Sequence, residues 1–136
     1  MLDVVCLHHV ALPVADVPRA RLFYAGVLGL VELPRPPFPF DGAWFAVGDR
    51  VLHLVVADDP TFRDGKDVNT RDIHFAIRVA SYDDAVAHLR AHGYAPDADD
   101  AMRRTREQPR ATAGFPQLFL MDPDRNVIEL NAARLD

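Results

Sequence analysis

Apolar and polar positions alternate with period two from Leu7 to Val14 (LHHVALPV). This predicts a strand with Val10, Leu12 and Val14 on one face and His9 and Ala11 on the other. The period then lengthens: Asp16 offers an N-cap, Pro18 falls in the first turn, and Ala20, Phe23 and Val27 recur at helical spacing. Gly29 is placed to stop that helix. Pro34 to Phe40 (PRPPFPF) is too rich in proline for a helix and predicts an extended connection. Trp44 to Val47 and Val51 to Ala57 read as two strands joined at Gly48-Asp49, a tight-turn dipeptide. Asp58 to Arg71 is a polar loop.

After that loop the order restarts. Ile73 to Val79 (IHFAIRV) is a strand with Phe75, Ile77 and Val79 on one face and His74 and Ala76 on the other. Ser81 caps a helix that carries Asp83 and Asp84 in its first turn, Ala85 and Leu89 on its inner face, and Gly93 at its end. Asp97 to Asp100 reads as a solvated acidic turn. Gln117 to Met121 and Val127 to Leu130 form another strand pair. Each half is thus a strand, a helix and two or three further strands, and HHVALPVADVPRA against IHFAIRVASYDDA shows the duplication in the letters. The chain reads as one domain over residues 1–136, with a first module over about 5–58 and a second over about 72–133.

Composition narrows the function classes. Of 136 residues 49% are hydrophobic and 26% charged, enough for a core. The net charge of −5 argues against a nucleic-acid binder, which needs a basic face. No apolar run approaches a membrane span, and the first residues read as a strand rather than a signal peptide. A cytoplasmic location follows as the default. Cys6, the sole cysteine, cannot form an internal disulfide, and its apolar neighbours place it as a small core residue.

Within the repeat, His9 and His74 occupy the same point of the first strand, each followed two residues later by alanine. His53 and Glu129 occupy the same point of the last strand, flanked by Leu or Ile of opposite phase. If the apolar partners face the helices, all four lie on the opposite face of the sheet, where two related pairs would turn toward one point. Three imidazoles and a carboxylate suit a divalent ion such as Zn, Ni, Mn or Fe(II). One histidine on a strand is more often a plain surface residue, but four ligand-type residues at repeat-equivalent positions weigh toward a metal. His8 reads as a sheet-margin residue. His88 and His92, at i, i+4 in the last turn of a helix, read as a solvated surface pair. Arg103, Arg104, Arg106 and Arg110 read as a solvated face, with Arg110 the one to reach the site if any does. Trp44, Phe45, Phe38, Phe40 and Phe119 are either plain core or the lining of a drug-sized pocket.

LHHVAL with FYAGVLGL, the run RPPFPFDGAWFAVGDRVLHLVV, DIHFAI, and QLFLMDPDRNVIEL together resemble the vicinal oxygen chelate superfamily, the glyoxalase-type fold, over nearly the whole chain. The resemblance implies an α+β fold in which two βαβββ modules form a curved mixed β-sheet around a metal site, with the helices outside. His9, His74 and Glu129 match the first, third and fourth ligand positions, and His53 the second, which in bacterial glyoxalase I resembles a glutamate. Arg125 replaces the usual glycine of the DPDGN turn. The implied activity is a metal-dependent, glyoxalase-like isomerase or lyase acting on a small hydroxy-carbonyl or thiol-conjugated substrate. Glu129 is then the proton-moving group, and Trp44, Phe45 and Arg110 are the substrate contacts. The alternatives are an extradiol-type Fe(II) dioxygenase, a thiol transferase of the fosfomycin-resistance type, and a metal-free drug-binding module. The resemblance also implies a homodimer.

Overall fold

A computed structural model describes residues 1–59 and 61–136. Pro60, inside the polar loop expected over 58–71, lies outside the described residues. The chain divides into two compact units, Met1–Pro60 and Thr61–Asp136. Each carries its own four-stranded mixed sheet, so backbone pairing builds two sheets rather than one. The fold class is α+β with two modules of like design.

In the first unit, β1 (His9–Val14) is followed by α1 (Val17–Arg21), β2 (Glu32–Leu33), β3 (Gly42–Val47) and β4 (Arg50–Val56). The sheet order is β1-β4-β3-β2, with β1 parallel to β4 and the rest antiparallel. β1 starts two residues later than the alternation predicts, because pairing begins only where His9 meets Val51 on β4. The residues before it lie beside no strand and are exposed, and so is Cys6, which corrects its expected place in the core. Asp16 caps α1 by accepting from the Arg19 N–H at 2.6 Å. The expected single helix changes character: after Arg21 it widens into a π-helical stretch, Leu22–Val27, with the Leu28 N–H reaching the Phe23 carbonyl five residues back. The adjacent Phe23 and Tyr24 are both buried. Gly29, at φ 69°, ends the stretch. Between β3 and β4 only Gly48 is at positive φ.

The second unit runs β5 (His74–Arg78), α2 (Tyr82–Ala91), β6 (Arg106–Gln108), β7 (Gln117–Met121) and β8 (Val127–Asn131), ordered β5-β8-β7-β6. Ser81 caps α2 through the Asp84 N–H at 3.0 Å, as the sequence predicts. The short strands β2 and β6, whose positions the hydrophobic pattern does not mark, supply the third further strand of each module and complete the two sheets as edges. Arg125 keeps the left-handed backbone that the turn before β8 demands, at φ 65°, although it carries a side chain. Its guanidinium donates to the Lys66 carbonyl, and its own carbonyl accepts from Arg63 Nε at 3.1 Å. Asp122 holds the same turn by accepting from the N–H groups of Asp124 and Asn126.

Side-chain alternation assigns the faces. Val10, Leu12, Phe45, Leu52 and Leu54 share one face of the first sheet, where Tyr24 meets Phe45 at 5.8 Å between ring centroids. Phe75, Leu118, Leu120, Ile128 and Leu130 share one face of the second. The last four are buried there, as are Tyr82 and Leu89 of α2. The other face of the second sheet holds a smaller apolar cluster of Val68, Phe119, Met121 and Val127, with Met102 against it.

Candidate functional site

The two units place their candidate ligands by the same pairing rule. Ala11 of β1 stands opposite His53 of β4, and Ala76 of β5 stands opposite Glu129 of β8. His9 and His74 lie two residues earlier on the same strands, hence on the same face as their partners. The alanines matter sterically, because a methyl group leaves room above the strand for the neighbouring side chain to lean toward the histidine.

In the second unit the pair is close: His74 Nε2 lies 3.2 Å from Glu129 Oε2. The other ring nitrogen, Nδ1, lies 2.8 Å from the Asp72 carbonyl oxygen. A carbonyl can only accept, so Nδ1 carries a proton, and in the neutral ring Nε2 then presents a lone pair to the carboxylate. Two such atoms at that distance need a positive charge between them, which either a proton on Nε2, making an ordinary His–Glu ion pair, or a shared metal supplies. Two ligands at right angles around an ion, with bonds of about 2.1 Å, stand about 3 Å apart, so the spacing fits a shared metal. Glu129 is only 4% exposed, and its Oε1 accepts from Gln117 Nε2 at 3.0 Å and Asn131 Nδ2 at 2.8 Å. These amides and the Asp72 carbonyl orient the two candidate ligands from outside. Oδ1 of Asn131 is buried without a hydrogen-bond partner among the described residues.

In the first unit His9 and His53 lie face to face, with ring centroids 4.1 Å apart and planes 17° apart. Trp44 covers the other side of the row, stacked 4.3 Å from His53 with the two planes nearly parallel at 7°. Burial, chiefly, and then the charges of His9, His8 and Arg35 push the His53 imidazole below its ordinary pKa, toward the neutral form that can ligate. Nδ1 of His9 is engaged 2.9 Å from Nδ1 of His8, which leaves its Nε2 available. Among the described residues, no group of three or more His, Cys, Asp or Glu side chains is gathered tightly enough to hold a metal, so the candidates stand as two pairs.

The expected substrate residues fare differently. Trp44 is half-buried on the face of His53. Phe45 is wholly buried on the opposite face, because successive strand residues point to opposite sides, and so it does not share the face of Trp44 and His53. Phe119 shares the face of Glu129 but is also buried, with its ring 5.3 Å from that of His74. Arg110 is exposed on an open surface beside Gln108, Pro109 and Thr112. Arg106, not Arg110, stands in register with Phe119 and thereby with Glu129. His88 and His92 are an exposed pair, and His92 Nδ1 donates to the His88 carbonyl. The sequence reading missed Gln117 and Asn131. Their signal was a polar residue at i+2 from Glu129 on a strand otherwise apolar, and a second polar residue facing it.

Comparison with known proteins places this architecture. A family model described as the Glyoxalase/Bleomycin resistance protein/Dioxygenase superfamily matches residues 6–130. No curated protein matches the chain. Among solved structures, a glyoxalase family protein from Bacillus anthracis is 22% identical, with a TM-score of 0.72 over 97% of this chain and 98% of its own. Lactoylglutathione lyase from Agrobacterium tumefaciens is 20% identical, with a TM-score of 0.67 over 97% and 96%. The fosfomycin resistance protein FosX from Listeria monocytogenes is 18% identical, with a TM-score of 0.69 over 97% and 96%. At these identities the likeness is one of fold.

Proposed function

Because the chain belongs to the Glyoxalase/Bleomycin resistance protein/Dioxygenase superfamily, we propose that it is a metal-dependent, glyoxalase-like enzyme acting on a small hydroxy-carbonyl or thiol-conjugated substrate. The observation that carries this reading is the His74–Glu129 pair, with Nε2 and Oε2 3.2 Å apart and every other polar atom of the two side chains tied down.

His74 with Glu129 in the second unit, and His9 with His53 in the first, are the residues that would supply ligands to a divalent ion such as Zn, Ni, Mn or Fe(II), each pair taken by itself. Bound there, the ion would supply Lewis acidity that polarises a carbonyl. Glu129 is the proton carrier: Gln117 and Asn131 occupy Oε1, so a proton would be taken up and returned at Oε2, on the lone pair that a bound ion does not use. The apolar wall of Phe119, Met121 and Val127 keeps water from that carboxylate. His53 serves as a ligand rather than a base, since a coordinated imidazole has no free lone pair.

We further assign a homodimer in the cytoplasm as the working form. No helix among the described residues is long and apolar enough to cross a membrane. Metal content, measured in the wild type beside His53→Ala and Glu129→Ala, tests the ligand set, and sedimentation tests the dimer. Turnover of hemithioacetals by protein loaded with each of the four ions tests the chemistry. Absence of turnover with every ion overturns the isomerase reading, and oxygen uptake with catechols under Fe(II) or thiol transfer to fosfomycin replaces it.

A second reading has its own observation. Phe38 stacks on Phe40 at 5.2 Å and stands 6.1 Å from Trp44, which extends the row His9, His53, Trp44 into an aromatic surface suited to a flat ligand. A protein that is isolated without metal and refuses added metal is a binding module of the drug-resistance kind.

A further inference from the structure

Arg35 lies just beyond β2, whose Leu33 pairs with Trp44 of β3. Two residues past that pair and outside the strand, its guanidinium turns toward the rings that stand beside Trp44. Its guanidinium lies over two rings, 4.7 Å from the centroid of Phe38 and 5.1 Å from that of Phe40. Gly42 makes the space for it: a Cβ at that position would stand 3.1 Å from both Nε and Nη2. The proline-rich segment therefore does more than cross from β2 to β3. It wraps a cation in aromatic rings at the end of the His9–His53–Trp44 row.

Among the described residues that cation makes no ion pair. Nearby Glu32 is taken by Arg21 at 2.8 Å, and Arg63 and Arg90 have Asp72 and Glu107 respectively. Among the described residues no carboxylate stands within ion-pair reach of Arg35, and its one hydrogen bond runs from Nη2 to the Phe40 carbonyl at 2.9 Å. Nε is shut off from solvent with no partner. A half-buried guanidinium with idle donors, flanked by half-exposed phenyl rings, has the chemistry of an oxyanion receptor with an apolar rim.

We infer that Arg35 is the specificity-determining residue of the first unit's candidate site, and that it receives a carboxylate or phosphonate group of a substrate whose apolar part lies against Phe38 and Trp44. This deepens the proposed function and rests on its reading of the His53 face as a substrate surface. A small acid, rather than a neutral aldehyde or diol, is the substrate class it selects.

The test uses Trp44, the sole tryptophan, as the reporter. Its emission is followed while the full chain is titrated with benzoate, phenylphosphonate and the neutral benzamide, both metal-loaded and after chelator treatment. The expected result is saturable quenching by one or both anions at concentrations at least tenfold below those needed for benzamide. Quenching by phenylphosphonate alone, or by benzoate alone, identifies which acid the receptor takes. Arg35→Gln is expected to abolish the tenfold preference and Arg35→Lys to retain part of it. Arg35→Met, which keeps an unbranched side chain without the charge, is read the same way if Arg35→Gln does not fold. The inference is overturned if no probe binds, if benzamide binds as tightly as the anions, or if the preference survives the loss of Arg35. Metal content of the same samples separates the two ideas. A metal-free protein that still prefers anions defeats the metalloenzyme reading alone, and a metal-replete protein without the preference defeats the Arg35 assignment alone.

Discussion

Nε2 of His74 and Oε2 of Glu129 stand 3.2 Å apart, and neither residue is free to turn away. The Asp72 carbonyl fixes one end of the imidazole, and two amides fix the far oxygen of the carboxylate. If this pair binds metal, its affinity depends on groups that never touch the ion. Gln117→Leu and Asn131→Leu are each expected to weaken metal binding about tenfold to a hundredfold, as loss of outer partners does elsewhere. Competition against a chromogenic chelator measures it. An unchanged affinity in both variants would show that Glu129 is ordered without its amides.

Gly42 is required by backbone, not by flexibility. A Cβ added there would stand 2.3 Å from the Leu54 carbonyl oxygen, which belongs to the paired strand and cannot swing aside. Gly42→Ala is therefore expected to lower stability by about 2 kcal/mol, the usual cost of forcing extra volume into a filled site. The shift of the urea midpoint checks this, and a shift worth under about 0.5 kcal/mol, the scatter of ordinary surface changes, would contradict it.

Arg63 reaches Asp72 through Nη1 at 3.3 Å and Nη2 at 2.8 Å, and it also tethers the Arg125 carbonyl. The Arg63 hydrogen bonds, above all, hold the Asp72 carboxyl below its ordinary pKa. A carboxyl more acidic in the folded chain than in the unfolded one stabilises the fold above the unfolded pKa of about 3.9. That stabilisation disappears as the pH drops through the lower, folded value. Asp72→Asn is therefore expected to cost about 2 kcal/mol at pH 7, the worth of a charged hydrogen bond. The gap between variant and wild type should close as the pH falls below about 4. Denaturant melts across that range decide it, and a gap that stays constant would mean the charge is not what matters.

Ser81 caps α2 through its hydroxyl, and Asp136 also accepts from the Asp83 N–H at 3.1 Å. Ser81→Ala is expected to cost about 1 kcal/mol, the common value for a lost cap. Removing Asp136 in the same background should add to that loss. Thermal melts of the single and double variants read both, and a double variant no weaker than the single one would remove Asp136 from the cap.

Much of this was legible in the letters because strands and helices bury one face each, and burial writes its period into the chain. The alternation around His9 and His74 and the helix from Ser81 to Gly93 follow from that rule, as does the shared face of each candidate pair. Family membership follows from the same segments. Local pattern misled where burial depends on a neighbour. Cys6 sits in an apolar run but has no strand beside it, and Phe45 is core while the adjacent Trp44 is not. Pairing decided the rest. Only the ladder puts Ala76 opposite Glu129 and brings Gln117 beside Asn131, and only the fold of the proline-rich segment lays Arg35 over Phe38 and Phe40. These are contacts between residues distant in sequence, and no local period records which strand will lie next to which. The sequence determines which residues face the same way; the tertiary structure alone determines which of them meet.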